Sequence, residues 1–308
     1  YLLSAADLCE RELGRSDDAI AALEAVLQLF PDDREAASGL ERLYKNGRRW
    51  ADLADLLERR LRYAGGDSEV VDLRYRLGAL FESELGSPER AVENYRQAIA
   101  VDPRHTQSIS ALERFLDDLD LNAAAVLKPV YELLGDWQKL IRTYEIHLEN
   151  ASDSSQRIEY SKAIAGLYEA KLGDLQSAFT WYAKVFREQP ADAWTREQLA
   201  RLSGLLGNWA ELAAVYQSFL DDNRETDGTA IDVLRPTAEI YDQRLNKVDE
   251  AKDCYRRLLA ADNEDMAAFD PLEAMLTRAE AWSDLLVVYR DAVTQTLNDG
   301  RKKQLLFK

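Results

Sequence analysis

Apolar residues recur along this chain at offsets of three, four and seven, a spacing that gathers them on one face of an α-helix. Two patterns alternate. In the first, Leu8, Leu80, Leu167 and Ile240 stand six residues before Gly14, Gly86, Gly173 and Asn246, each of which directly follows a leucine (Leu13, Leu85, Leu172, Leu245). Ala19, Ala91, Ala178 and Ala251 come five residues after that position, followed by Leu23, Tyr95, Tyr182 and Tyr255 and, four residues on, by Leu27, Ile99, Phe186 and Leu259. Pro31, Pro103 and Pro190 close three of these units, and Asn263 stands in the fourth. A Gly or Asn can take the left-handed conformation that ends a helix, so the pattern predicts two helices joined by a tight turn, an antiparallel hairpin. The small Ala lets the two helices approach closely. In the second copy Ser87, Pro88 and Glu89 suit the cap, the first turn and the dipole of the second helix.

The second pattern starts on a tryptophan, with apolar residues three, seven and eleven positions on. It reads Trp50, Leu53, Leu57, Leu61; Trp137, Leu140, Tyr144, Leu148; Trp209, Leu212, Tyr216, Leu220; and Trp282, Leu285, Tyr289, Val293. These offsets keep to a single helix face, so the four tryptophans are expected to open equivalent helices and to be mostly buried between them. The step from Gly14 to Gly86 and that from Gly173 to Asn246 nearly match, while the step from Gly86 to Gly173 is longer. Gly14 to Trp50 is half of the first step, so the unit is a hairpin of about 36 residues in two alternating flavours. Four modules result, approximately 1–65, 66–151, 152–224 and 225–300, in one continuous repeat array. The second is longer by about 15 residues, roughly four helical turns. Its stretch 104–134 reads as two helices, near 105–118 and 122–134, where the other modules have one. Pro129 is expected to kink the second of these. The prediction is sixteen helices in hairpins plus one extra, with no β-sheet.

Composition agrees with helix and narrows the function. Hydrophobic residues make up 46% of the 308 and charged residues 31%, with 14 Gly and 7 Pro, too few to punctuate many strands. The net charge of −17 speaks against nucleic acid, whose affinity comes from clustered Lys and Arg; it suits a basic protein partner, or solubility of a long exposed surface. Cys9 and Cys254 have no second cysteine nearby and cannot build a disulfide framework or a CxxC site. Read as buried thiols, they favour a reducing compartment such as the cytoplasm. No apolar run is long enough to insert in a membrane.

The segment from Leu85 to Pro103 resembles the back half of a tetratricopeptide repeat: Gly86, Ala91, Tyr95, Ala98 and Pro103 fall at that family's Gly, small, aromatic, small and Pro positions. The resemblance extends over nearly the whole chain and implies an all-α fold, a right-handed superhelix of helical hairpins, with a protein-interaction role. Two departures stand out. The first helix carries about one extra residue before the Gly, and the Trp-type hairpins place Leu53, Leu140, Leu212 and Leu285 where the family prefers a small residue.

The sequence carries no Gly-rich phosphate loop, no HExxH and no EF-hand spacing. His105 and His147 lie far apart with no ligand or triad partners, and read as surface or edge residues. Arg59, Arg60 and Arg62 end a helix, where cations suit the macrodipole. No enzyme and no cofactor are expected. The expectation is a non-catalytic scaffold for a protein or peptide partner; the alternatives are a structural spacer or self-assembling rod, or a regulatory arm of a larger protein. The chain reads as cut from a longer array, with Gln304, Leu305, Leu306 and Phe307 opening a further helix. Glu10, Glu82, Glu169 and Asp242, each four residues before the Gly position, are the candidate partner-binding residues, an acidic stripe for a basic segment, unless they are merely good helix formers on a solvated face.

Overall fold

The computed structural model describes residues 1–223, 227–296 and 299–306, and among them every regular element is helical. The first module holds α1 (Leu2–Arg11), α2 (Ser16–Leu29), α3 (Arg34–Asn46) and α4 (Trp50–Leu61). The second holds α5 (Asp67–Ser83), α6 (Pro88–Val101), α7 (Thr106–Asp117), α8 (Leu121–Leu134) and α9 (Trp137–Asn150). Then follow α10 (Ser154–Leu167), α11 (Leu175–Glu188), α12 (Ala193–Leu206) and α13 (Trp209–Asp222). The last are α14 (Gly228–Glu239), α15 (Val248–Ala261), α16 (Met266–Arg278), α17 (Trp282–Gln295) and a short α18 (Asp299–Leu306). Phe307, expected in that closing helix, lies outside the described residues. The chain forms two compact units, Tyr1–Asn150 and Ala151–Lys308.

One turn geometry folds every hairpin. Among the described residues nine have φ between 52° and 74°: Gly14, Arg48, Gly86, Leu119, Gly135, Gly173, Gly207, Asn246 and Glu280. Each stands two positions before the first residue of a helix, at α2, α4, α6, α8, α9, α11, α13, α15 and α17 in turn. Successive turns recur about once per hairpin, except that Gly135 follows Leu119 at less than half that distance. The enlarged second module is thus a single inserted helix–turn unit: α8 lies between two left-handed turns, and it runs through Pro129 without ending there.

The two hairpin flavours differ in how that turn closes. In the Trp type, an N–H reaches back five residues, from Arg49 to the Tyr44 carbonyl at 2.8 Å and from Ala281 to Leu276 at 3.0 Å, which is the Schellman bond. In the Gly type it reaches back six, from Arg15 to Cys9 at 2.8 Å, Ser87 to Phe81 at 2.9 Å, Asp174 to Tyr168 at 2.9 Å and Lys247 to Tyr241 at 2.8 Å. The extra residue read from the sequence is accommodated by widening the last turn. Leu13, Leu85 and Leu245 bond the carbonyls of Leu8, Leu80 and Ile240 in i→i+5 fashion, and π-helical segments Tyr168–Leu172 and Ile240–Arg244 finish α10 and α14.

The small residues sit where two helices meet. Ala19, Ala91, Ala178 and Ala251 are fully buried. Gly78 on α5 faces the buried Tyr95 of α6, and a Cβ there would fall 2.5 Å from the phenol ring. Two expectations need correction. Ser87 occupies the cap position of α6, but its hydroxyl faces the Leu85 carbonyl at 3.4 Å and caps no N–H. The tryptophans do open α4, α9, α13 and α17, and Trp50, Trp137 and Trp209 are largely covered as expected, but Trp282 is 56% exposed. The first position of a helix lies at the hairpin's end, so the indole leans on the preceding turn. The Trp137 ring lies 3.8 Å from where a Cβ on Gly135 would sit, and the Trp209 ring 3.7 Å from that of Gly204. The core seat belongs to the residue three positions on, Leu53, Leu140, Leu212 and Leu285, all buried.

Two stability outcomes follow from this placement. Leu212→Ala is expected to cost about 2–5 kcal/mol and Trp282→Ala less than about 1 kcal/mol, read from urea unfolding; equal costs would return the Trp to the core. Leu119 holds a left-handed φ of 59° that its Cβ disfavours. Leu119→Gly is therefore expected to raise stability by about 0.5–1 kcal/mol, with a midpoint shift to higher urea as the check.

Candidate partner-binding surface

The four acids singled out in the sequence occupy equivalent places, at or near the end of the first helix of each Gly-type hairpin. Three of them are engaged within the chain. Glu10 pairs with both terminal guanidinium nitrogens of Arg42 on α3. Glu82 takes Arg114 on α7 at 2.8 and 2.9 Å and also accepts from the Tyr95 hydroxyl at 2.6 Å. Glu169 takes Arg201 on α12 at 2.6 Å. In all three the arginine lies 32 residues after the acid, on the first helix of the next hairpin. The expected stripe of free carboxylates is thus replaced, at these positions, by cross-hairpin ion pairs. The signal in the sequence is an arginine 32 residues after each of these acids, close to one hairpin length.

The same stitching absorbs other charges. Arg59 lies 2.9 and 3.0 Å from Glu24 of α2, and Arg60 binds Glu41 of α3 and lies 3.3 Å from Glu69 of α5. These arginines therefore join helices as well as ending one. The Arg59 guanidinium, bonded to Glu24, holds its carboxyl below the ordinary glutamate range, with the Tyr44 hydroxyl adding a further bond at 2.6 Å. Arg90 reaches Glu58 at 3.0 Å, Lys162 reaches Asp192 at 2.6 Å and Arg235 reaches Asp265 at 2.7 Å.

The residues that could suggest catalysis have structural places. His105 caps α7, its Nδ1 accepting from the Ser108 N–H at 3.3 Å. Burial pushes the His147 imidazole below its ordinary value. Cys254 is buried, and that burial pushes its thiol up to about 12; Cys9 is only half-buried, not the buried thiol expected. Among the described residues no group of three or more His, Cys, Asp or Glu could hold a metal ion, and no helix is long and apolar enough to cross a membrane.

One open site is apolar. Between α6 and the inserted α8 lies a groove of about 610 Å³, walled by Ile99 and Pro103 on one side and Val126, Pro129 and Leu133 on the other. At its rim Arg96 is neutralised by Glu93, 2.6 Å away. Pro129 has no N–H, so the Ala125 carbonyl, four residues earlier on the same wall, lacks its helical donor. The groove is the enlarged form of a recurring one: Arg256, Leu259, Ala260 and Asn263, in the register of Arg96, Ile99, Ala100 and Pro103, line a groove of about 250 Å³ beside α17. In that second copy Val287 stands where α8 presents Ala125, and Asp291 and Gln295 stand where α8 presents Pro129 and Leu133.

Stacked helical hairpins with a recurring left-handed turn, inter-hairpin ion pairs and open apolar grooves define a helical-repeat protein. The chain carries tetratricopeptide repeats, matched at residues 2–33, 71–105 and 129–158. Among solved structures, it is similar to the MamA protein (21% identity over 62% of this chain and 92% of that one, TM-score 0.27). It is similar also to the C-terminal part of a TPR repeat-containing protein from Cytophaga hutchinsonii (14%, 88% and 99%, TM-score 0.29). A third is YrrB, described as a TPR protein with an unusual peptide-binding site (16%, 63% and 88%, TM-score 0.27). None of these likenesses bears on function. No curated protein matches the chain.

A pH dependence follows from the Arg59–Glu24 pair. Because the folded carboxyl is held below its unfolded value, its contribution is fully present above the unfolded glutamate pKa of about 4.3 and is lost as pH falls through the lower, folded one. Arg59→Met is expected to flatten the fall in melting temperature between about pH 4.5 and pH 3; an unchanged acid limb would show that other carboxyls govern it.

Proposed function

We propose that this chain is a non-catalytic scaffold that binds a protein or peptide partner, and that the α6–α8 groove seats an apolar segment flanked by a basic residue. The groove carries this reading. It is open and apolar, its one charged rim residue is already neutralised, and the Ala125 carbonyl offers an acceptor to a donating side chain or backbone N–H. The chain's net charge of −17 favours a positive flank on the ligand. Helical repeats suit this task because each hairpin is held by its neighbours, leaving outward positions free to vary without loss of the fold.

A second reading, self-association as a structural element, draws on α17. There Leu286 is 66% exposed at the register where Ala54, Ile141 and Ala213 are buried, with Val287 and Trp282 exposed beside it. Sedimentation across a concentration series distinguishes the two, since self-association through this face should weaken on Leu286→Asp.

The scaffold reading is tested by selecting peptides from a random display library on the immobilised chain. Enriched sequences should pair apolar anchors with Arg or Lys. Val126→Asp and Leu133→Asp, both at outward positions of α8, should weaken the selected peptides more than about tenfold while leaving the melting temperature unchanged. Peptides that bind these variants as tightly as the parent would remove the groove from the site.

A further inference from the structure

The first helix of every Gly-type hairpin carries an acid, and in three of the four the next hairpin answers it with an arginine 32 residues on. Glu10 has Arg42, Glu82 has Arg114 and Glu169 has Arg201. The residue at the same offset from Asp242 is Ala274. Asp242 lies in the π-helical segment that ends α14, as Glu169 lies in the one that ends α10. It is half-covered, the Ala274 position is exposed, and among the described residues the Asp242 carboxylate has no hydrogen bond or ion pair. The electrostatic surroundings repeat those of the second module: Tyr255 of α15 feels Asp242 as Tyr95 feels Glu82. Arg235, the cation that acts on Tyr255, is held by Asp265 at 2.7 Å.

We propose that Asp242 is a socket for an arginine side chain of the bound partner. The three sister sites show the ligand chemistry directly. Each holds a guanidinium against the carboxylate, and at Glu82 one terminal nitrogen spans both oxygens at 2.8 and 2.9 Å while Nε adds a third contact at 3.1 Å. The arginines filling those sites are themselves 40–59% exposed, so the guanidinium is presented from the solvent side. Ala274 leaves that approach open in the fourth. A planar, forked guanidinium can engage both carboxylate oxygens at once, which the point charge of a lysine does less well. Asp is one methylene shorter than Glu, so an incoming arginine must extend further than Arg114 does. The occupant is a basic segment of a different protein and not a second copy, because this chain carries 56 acids against 39 basic residues and spends many of its arginines in its own inter-hairpin pairs. The assignment rests on the scaffold reading and adds the residue type the partner must present.

The test is an amide NMR titration of the whole chain with the peptides acetyl-Gly-Arg-Gly-amide and acetyl-Gly-Lys-Gly-amide. The arginine peptide should shift amides around Asp242, Tyr255 and Ala274, with the lysine peptide binding more weakly. Asp242→Asn should weaken the arginine peptide roughly tenfold. Ala274→Arg should fill the socket from within, abolish the peptide shifts and leave the chain folded with an equal or higher melting temperature. Val126→Asp should leave the titration untouched, so the groove and the socket can fail separately. Shifts absent from these residues, shifts equal for both peptides, or shifts that persist in Asp242→Asn or Ala274→Arg would overturn the socket, whatever the groove does.

Discussion

Everything in this molecule depends on one backbone event, the left-handed residue two positions before each second helix. It reverses the chain and lets an N–H reach back over the end of the preceding helix, satisfying a carbonyl that would otherwise be orphaned. Helices of this length are marginal alone, and packing of their apolar faces holds them. The turn brings those faces together. Where Gly or Asn fills the position the conformation costs little; at Arg48, Leu119 and Glu280 the surrounding hairpin imposes it on residues whose Cβ resists it. Tertiary packing therefore outweighs local preference at one turn in three.

Once the hairpins exist, their stacking is reinforced by charge. Ion pairs such as Glu82–Arg114 and Arg90–Glu58 join corresponding places on neighbouring hairpins, both at an offset of 32 residues. Single exposed pairs contribute little, but a series repeated at one register favours one alignment of hairpin on hairpin over its neighbours. This changes the meaning of an acidic composition. Many carboxylates that look like a charged surface are internal partners, and Asp242 is left over from the pairing that takes up Glu10, Glu82 and Glu169.

The inserted helix shows how a repeat array acquires a distinctive surface. A second left-handed turn, Gly135 so soon after Leu119, places α8 beside α6, where its apolar Val126, Pro129 and Leu133 wall a groove of about 610 Å³. Pro129 frees a carbonyl on the same wall. Length, apolar side chains and proline, each ordinary by itself, together make the apolar groove of the second module.

The sequence by itself determined the helical hairpins, their two flavours, the place of the extra helix and the small residues at the close approaches. All of these are encoded by offsets within about one hairpin, and helix periodicity and turn chemistry are local physics. It showed an extra residue before each Gly, and the structure shows how the chain absorbs it, by widening the last turn to i→i+5 bonding. Tertiary structure alone decided the rest. Trp282 shares the apolar stripe of its helix with Leu285, yet Trp282 is exposed and Leu285 buried, because depth depends on distance from the hairpin's end as well as on the stripe. The fate of Glu10, Glu82 and Glu169 was likewise invisible from their own neighbourhoods. A carboxylate's chemistry is set by the cation that reaches it through space, and here that cation comes from the next hairpin.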